Sequence, residues 1–275
     1  MEKRDSFRDP LVEKQLEQGN ANDILNILLF AAYMCLQCGD WDTLFDARRM
    51  LDDVLKRFDS DTGRAWQFLL IFIYYLKRRM SGAASTAIAG LLKFCATVPT
   101  ALGGNLLAHA HALSSRVGLL CGDLEWAVAD LNRAFKEDPR SWGSVLYDGF
   151  SYGARAAVAV ERARRAAAEG KLDRATRREC LASLRRYLKN TRKCAPELTE
   201  SLKFFGSYWW HAGSHRRALS YWRQSIQAGE RIGAKVELAH TFADAGALLG
   251  EIAPGPEWRK RGAEMYTALG IGENR

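Results

Sequence analysis

Six glycines punctuate the chain at nearly even distances, and that regularity limits the fold more than any other feature. Gly39, Gly82, Gly122, Gly170, Gly213 and Gly250 are separated by 43, 40, 48, 43 and 37 residues. A period in this range is the mark of one supersecondary unit repeated along the chain. Between the glycines each unit reads alike: an apolar helix of about 16 to 20 residues, a short break, then a second, amphipathic helix. Only 6 of the 275 residues are proline. Ala, Leu and Arg recur throughout, and helix costs such side chains little rotamer freedom. The expectation is an all-α chain of about six antiparallel helix pairs, spanning about 21–58, 61–97, 101–138, 141–193, 196–233 and 235–270. Residues 1–20 are polar and charged and either cap the stack or stay loose; residues 21–275 form one domain.

Two pairs carry a more specific pattern. In the fifth, Gly206, Trp209, Gly213, Ala218, Trp222 and Ser225 stand 3, 4, 5, 4 and 3 residues apart. In the third, Gly122, Ala127, Leu131, Ala134 and Pro139 follow the second half of the same pattern, and Gly82, Ala87 and Leu91 follow part of it in the second. Small residues at these points let two helices approach closely, and a glycine takes the turn where φ is positive. This resembles the tetratricopeptide repeat. The pitch near 40 exceeds the usual 34, and in that respect the chain is similar to the C-terminal tetratricopeptide regions of bacterial multidomain signalling ATPases, kinases and cyclases. The resemblance implies a right-handed α-solenoid with a TPR-like superhelix, whose concave side is lined by the first helix of each pair. Counting from the turns, Asn26, Tyr33, Arg79, His109, Arg116, Arg164, Lys203, Trp210 and His211 are expected on that concave side as a groove for a partner.

Three common catalytic signatures are missing: the sequence has no Gly-x-x-x-x-Gly-Lys-Ser/Thr, Gly-x-Gly-x-x-Gly or His-Glu-x-x-His. Gly149 to Gly153 does spell Gly-x-Ser-x-Gly, but within a stretch read as helix and not at the strand-to-helix turn where that motif exposes a nucleophile. His109 and His111 lie two apart on a helix and point in roughly opposite directions, so they do not share an ion. Cys35 and Cys38 form a lone Cys-x-x-Cys without a second ligand pair and read as small apolar packing residues. No cofactor, metal or catalytic residue is expected. The longest apolar runs, Ile27 to Leu36 and Phe68 to Leu76, have ten and nine residues, far short of the roughly 20 of a membrane span. Six scattered cysteines and no secretory leader point to a reducing cytoplasm.

Charge is concentrated. Residues 154–193 hold 13 Lys and Arg against 4 acids, although the whole chain carries a net charge of only +8. Arg162, Arg165, Arg174, Arg178, Arg185, Arg186 and Lys189 form this basic patch. Three functions follow as expectations. The first is a non-enzymatic scaffold or regulatory module that binds a protein or peptide along the concave face, with Trp210 as an aromatic anchor. The second is nucleic-acid binding through the basic patch. The third is a helical-repeat enzyme with a dispersed site around His109, Arg116 and His211.

Overall fold

The computed structural model describes residues 21–58, 60–98, 100–136, 145–191 and 197–272. The polar segment 1–20 lies outside them, as do Pro139 and Cys194. Among the described residues all regular structure is helical. Twelve helices follow one another: α1 (Ala21–Cys38), α2 (Trp41–Arg57), α3 (Asp61–Lys77), α4 (Ser81–Cys95), α5 (Thr100–Leu120), α6 (Leu124–Lys136), α7 (Val145–Ala168), α8 (Arg174–Thr191), α9 (Leu198–His211), α10 (His215–Ile232), α11 (Lys235–Leu249) and α12 (Gly255–Leu269). Each odd helix packs most closely on the even helix that follows it.

Local chemistry sets the breaks. Gly39, Gly122, Gly170, Gly213 and Gly250 all have positive φ, which a residue without Cβ adopts at no steric cost. Gly82 differs: it lies in the first turn of α4, and the break before that helix is Arg78 to Met80. Arg79 takes the left-handed conformation there, with φ of 57°. That costs an ordinary residue about 1–2 kcal/mol. The guanidinium offsets the cost by pairing with Asp244 at 2.6 Å and lying over the Tyr266 ring.

Inside the pairs, glycine marks close helix crossings. A Cβ on Gly206 would fall within the Trp222 indole, which is fully buried beside Ala218. In the last pair a Cβ on Gly262 would stand 2.7 Å from the Ala243 backbone nitrogen, and one on Gly246 2.5 Å from that of Arg259. The core runs through the stack, from a large cluster over α1 to α5 to clusters joining α7 with α9 and α10 with α12.

The odd helices also touch in sequence, α1 to α3 to α5 to α7 to α9 to α11, and α11 returns to α1. The stack therefore closes on itself. Closure is offset along the helix axes: the start of α11 and the end of α12 rest on the turn ends of the first two pairs. Trp41 donates to the Leu269 carbonyl at 2.8 Å, Arg78 Nε to the Gly270 carbonyl at 2.8 Å, and the Gly272 amide to the Arg78 carbonyl at 3.1 Å. Leu269 packs into the space beside Gly39. Replacing Trp41 with Phe removes one neutral hydrogen bond at this seam. The expected loss is about 1 kcal/mol in urea unfolding, with faster amide exchange over residues 266–272.

Candidate functional site: a central cavity with buried ion pairs

The inward faces of the six odd helices line a cavity of about 730 Å³ that opens to solvent at its mouth, with apolar residues such as Leu76, Leu113, Val160 and Leu248 between the charged ones. Helix α9 shows how the sequence builds it. Glu197, Glu200, Lys203, Ser207 and His211 follow one another at 3, 3, 4 and 4 residues, which places them in one stripe along the helix, and all five line the cavity. The 14 residues of α9 climb about 21 Å at 1.5 Å per residue, and cavity-lining side chains are spread along that length. Helix α11 adds Glu237, His240 and Asp244, and α1 adds Tyr33 and Gln37.

At the buried end, Tyr33 donates to Glu197 at 3.3 Å. Above it Arg116 pairs with Glu200 at 2.6 Å, and Tyr187 donates to the other Glu200 oxygen at 2.8 Å. Lys203 pairs with Glu237 at 3.1 Å, and Lys77 reaches the other Glu237 oxygen. At the mouth, Arg79 holds Asp244, while Arg164 and Arg165 share Glu161 at 2.7 and 2.9 Å. The mouth residues are partly exposed: the Arg79 side chain is 36% and the Arg164 side chain 47% accessible, against 2% for Glu237.

Titration follows from this pairing. Burial resists ionisation of Glu200, but the Arg116 guanidinium holds its carboxyl down at about 2. Lys203 and Lys77 overcome burial in the same way and keep Glu237 well below the ordinary carboxylate range. Among the described residues no cation pairs directly with Glu197: burial, then the neighbouring Glu200 charge, push it up to about 8. His240 Nε2 donates to the Lys77 carbonyl and Nδ1 accepts from Tyr266 Oη, both at 2.9 Å. Burial, then the Arg79 charge, push it down to about 3.

These shifts fix a pH dependence. The unfolded His240 imidazole titrates near 6.5 and the folded one near 3. Between those values the unfolded chain binds more protons, so stability falls as pH drops through that window. His109, pushed down by burial to about 4, adds to the same decline. Glu197 works in the opposite direction: its contribution is complete below about 4.5 and is lost as pH rises through about 8. Glu197→Gln is expected to flatten the alkaline side of the stability profile, measured as the urea midpoint against pH, and to leave the acid side unchanged.

Of the nine residues expected on the concave face, Tyr33, Arg79, Arg116, Arg164, Lys203 and His211 line the cavity. Three lie elsewhere. Asn26 is exposed; it shares a helix face with Tyr33 but sits two turns before it, beyond the buried end. His109 is buried and bonded to Ser151 at 3.0 Å, held between α5 and α7. Trp210 stacks on His215 and against Trp222, because the helix face that meets α10 passes through it, while Phe204, Ser207 and His211 take the inward face.

The acids that organise the cavity were not singled out from the sequence. Their signal was a polar stripe on helices expected to be apolar: Glu197, Glu200 and Lys203 on α9, and Glu237, His240 and Asp244 on α11.

The basic patch lies mostly apart from the cavity. Arg174, Arg178, Arg185, Arg186 and Lys189 are exposed on α8, and Arg162 pairs with Glu179 at 2.9 Å. Arg165 belongs to the cavity mouth and also donates to the Gly122 carbonyl. Cys35 and Cys38 are half-buried, and burial pushes the Cys35 thiol up to about 11, which leaves little thiolate for redox or metal chemistry. No described helix is long and apolar enough to cross a membrane. Compared with known protein families and with curated proteins, the chain matches none, so its likeness to tetratricopeptide repeats rests on the pair-five spacing and on helices packed in adjacent pairs.

Proposed function

We propose that this chain is a non-enzymatic binding module: about six tetratricopeptide-like pairs in a right-handed superhelix, holding the end of a partner polypeptide in the central cavity. The ring of odd helices around one central cavity, with paired charges set among apolar wall residues, carries the reading. A cavity ringed by helices admits a narrow, elongated ligand in preference to a folded domain. At about 3.3 Å per extended residue, six or seven residues of a chain end span the length of α9. The paired charges along the wall suit backbone amides and polar side chains, which replace lost water contacts with charge-assisted hydrogen bonds. A signalling role, in which occupancy of the bore changes the superhelix and is read by another domain, is the regulatory form of the same proposal.

Ser207 tests it. This residue is half-buried on the cavity wall, and its hydroxyl donates to the Lys203 carbonyl of the preceding turn. Ser207→Trp is expected to obstruct the bore while the helical circular dichroism stays unchanged. Random octapeptides retained by the full-length protein on a gel-filtration spin column, identified by mass spectrometry, are expected to be lost in this variant and kept in Trp210→Ala. Undiminished retention by Ser207→Trp would falsify the assignment of the bore.

Nucleic-acid binding stands as the second reading, favoured by the row of exposed cations Arg174, Arg178, Arg185 and Lys189 on α8. Its discriminator is salt: retention of DNA or RNA in a gel shift at about 50 mM salt that collapses by about 200 mM would support it.

A further inference from the structure

We infer that the cavity wall formed by Lys77, Arg116 and Lys203 is an oxyanion subsite, so that the partner's chain end carries a negative charge into the cavity. This rests on the reading of the cavity as a seat for a chain end and adds the chemistry of that end. The observation is which member of each ion pair stays open to the cavity. The Arg116 side chain is 20% accessible and its partner Glu200 8%; Lys77 is 15% and Lys203 7% accessible, against 2% for the Glu237 they share. All five line the cavity within the ring of odd helices. The mouth shows the same order: Arg164 and Arg165 are more accessible than their shared Glu161, and Arg79 is slightly more so than Asp244. In each pair the acid holds the cation in place and the cation meets what enters.

The charges are also unequal in number. Buried charges are normally matched, yet Lys77, Arg116 and Lys203 share two carboxylates, Glu200 and Glu237. Asp244 stands 3.9 Å from Lys203 but is held by Arg79 at 2.6 Å. Glu197 keeps its proton at pH 7, because burial and Glu200 push it up to about 8. His211 and His240 are pushed down by burial and stay neutral. Among the described residues that line the cavity, six cations therefore face four ionised acids.

The three inner cations stand close enough to act on one group. Lys77 and Lys203 hold the two oxygens of a single carboxylate, and Arg116 and Lys203 both lie against the Phe204 ring, 5.5 and 5.4 Å from its centre. A guanidinium has five N–H donors and an ammonium three. Arg116 makes one hydrogen bond to Glu200, and each lysine makes one to Glu237, so donors remain on all three for an arriving oxyanion. Leu76 and Leu113 line the same cavity and keep the local dielectric low, which strengthens the attraction. A cationic group would meet the same open cations as repulsion.

The experiment measures affinity of the full-length protein at about 0.15 M salt, where surface charges are screened beyond about 8 Å. The probes are three N-acetylated octapeptide mixtures and inorganic phosphate. One mixture is uncharged with amidated C-termini, the second is the same with free C-terminal carboxylates, and the third is amidated with one Asp or Glu at a varied position. At least one anionic mixture is expected to bind tenfold or more tightly than the uncharged one: the second if the oxyanion is the terminal carboxylate, the third if it is an acidic side chain. Lys203→Met, which leaves Glu237 with Lys77, is expected to shrink that preference to within about threefold. Arg178→Glu combined with Arg185→Glu, on exposed positions of α8, is expected to leave it intact. Equal affinity for all three mixtures overturns the subsite while the cavity stands as a binding site. A preference lost in the α8 variant and kept in Lys203→Met overturns the subsite in favour of attraction by the surface. Phosphate bound as tightly as the best mixture supports the subsite and overturns the chain-end ligand. Failure of every probe to bind overturns the subsite and the proposed function together. The wild-type comparison and the α8 variant decide the matter even if Lys203→Met does not fold.

Discussion

Glu237→Ala is expected to destabilise the fold by about 3–5 kcal/mol, because it leaves two ammonium groups buried without their shared counter-charge. The Lys77 and Lys203 side chains are 15% and 7% accessible, and both reach Glu237. Asp244 lies 3.9 Å from Lys203 and compensates only one of them. The loss is a large share of the 5–15 kcal/mol that holds a typical domain, so the urea midpoint should fall sharply. Coupling identifies the cause: replacing Lys77 and Lys203 by Met in the Glu237→Ala background removes the stranded charges and should restore most of the loss. The Glu237 carboxyl is depressed in the fold, so its stabilisation is complete above about 4.5 and declines as pH falls. The single variant should accordingly show a shallower acid decline than the native chain. An unchanged urea midpoint in Glu237→Ala would remove the ion network from any role in closure.

Gly262→Ala is expected to cost about 1–3 kcal/mol, typical of forced overpacking, and Gly262→Leu to separate α12 from α11 altogether. The added Cβ meets Ala243 at its backbone nitrogen, 2.7 Å away, and at its Cα, 2.9 Å away. Backbone atoms offer no rotamer to relieve the clash, so the helices must move apart. Phe242 and Trp258, which meet edge to face across this crossing, lose contact in consequence. Because α12 carries Leu269 and leads to Gly270, the seam with Trp41 and Arg78 should open as well. Hydrogen exchange is the decisive measurement: protection should fall over α11 and α12 and over residues 39–41 and 77–80, while α5 to α8 hold. Gly82→Ala is the control. Gly82 is helical with nothing within 4 Å of a Cβ, so the change should be neutral or stabilising by up to about 1 kcal/mol. Equal losses for Gly82→Ala and Gly262→Ala would show that helix propensity, and not the crossing, dominates.

Particular residues show how far the sequence reaches. Gly213, Ala218, Trp222 and Ser225 announce a helical hairpin because their spacing reports a close crossing that only small residues allow. The structure places Gly206 against Trp222 and lets the Ser225 hydroxyl donate to the Thr199 carbonyl at 2.7 Å. Gly82 misled because a glycine near a helix start looks like a turn; the left-handed residue is Arg79, whose strain is compensated by Asp244, distant in sequence. Trp210 misled for a related reason. An aromatic side chain next to cations suits a hot spot, but its direction depends on the crossing of α9 with α10. Glu197 and Glu200 were visible as letters and silent as a site, since nothing in the chain states that Tyr33 and Arg116 stand opposite them.

Helical periodicity, the glycine breaks and the small residues at the crossings are local properties, and the sequence alone determined the all-helical fold and its helix-turn-helix units. Whether the stack stays open or closes depends on a small rotation and rise per pair, accumulated over the whole chain, which no single segment encodes. Tertiary structure decided that Lys77 meets Glu237, Tyr33 meets Glu197 and Arg116 meets Glu200. These pairings bring charged groups from separate helices to one central cavity, where each of the three meets a partner far away in the chain.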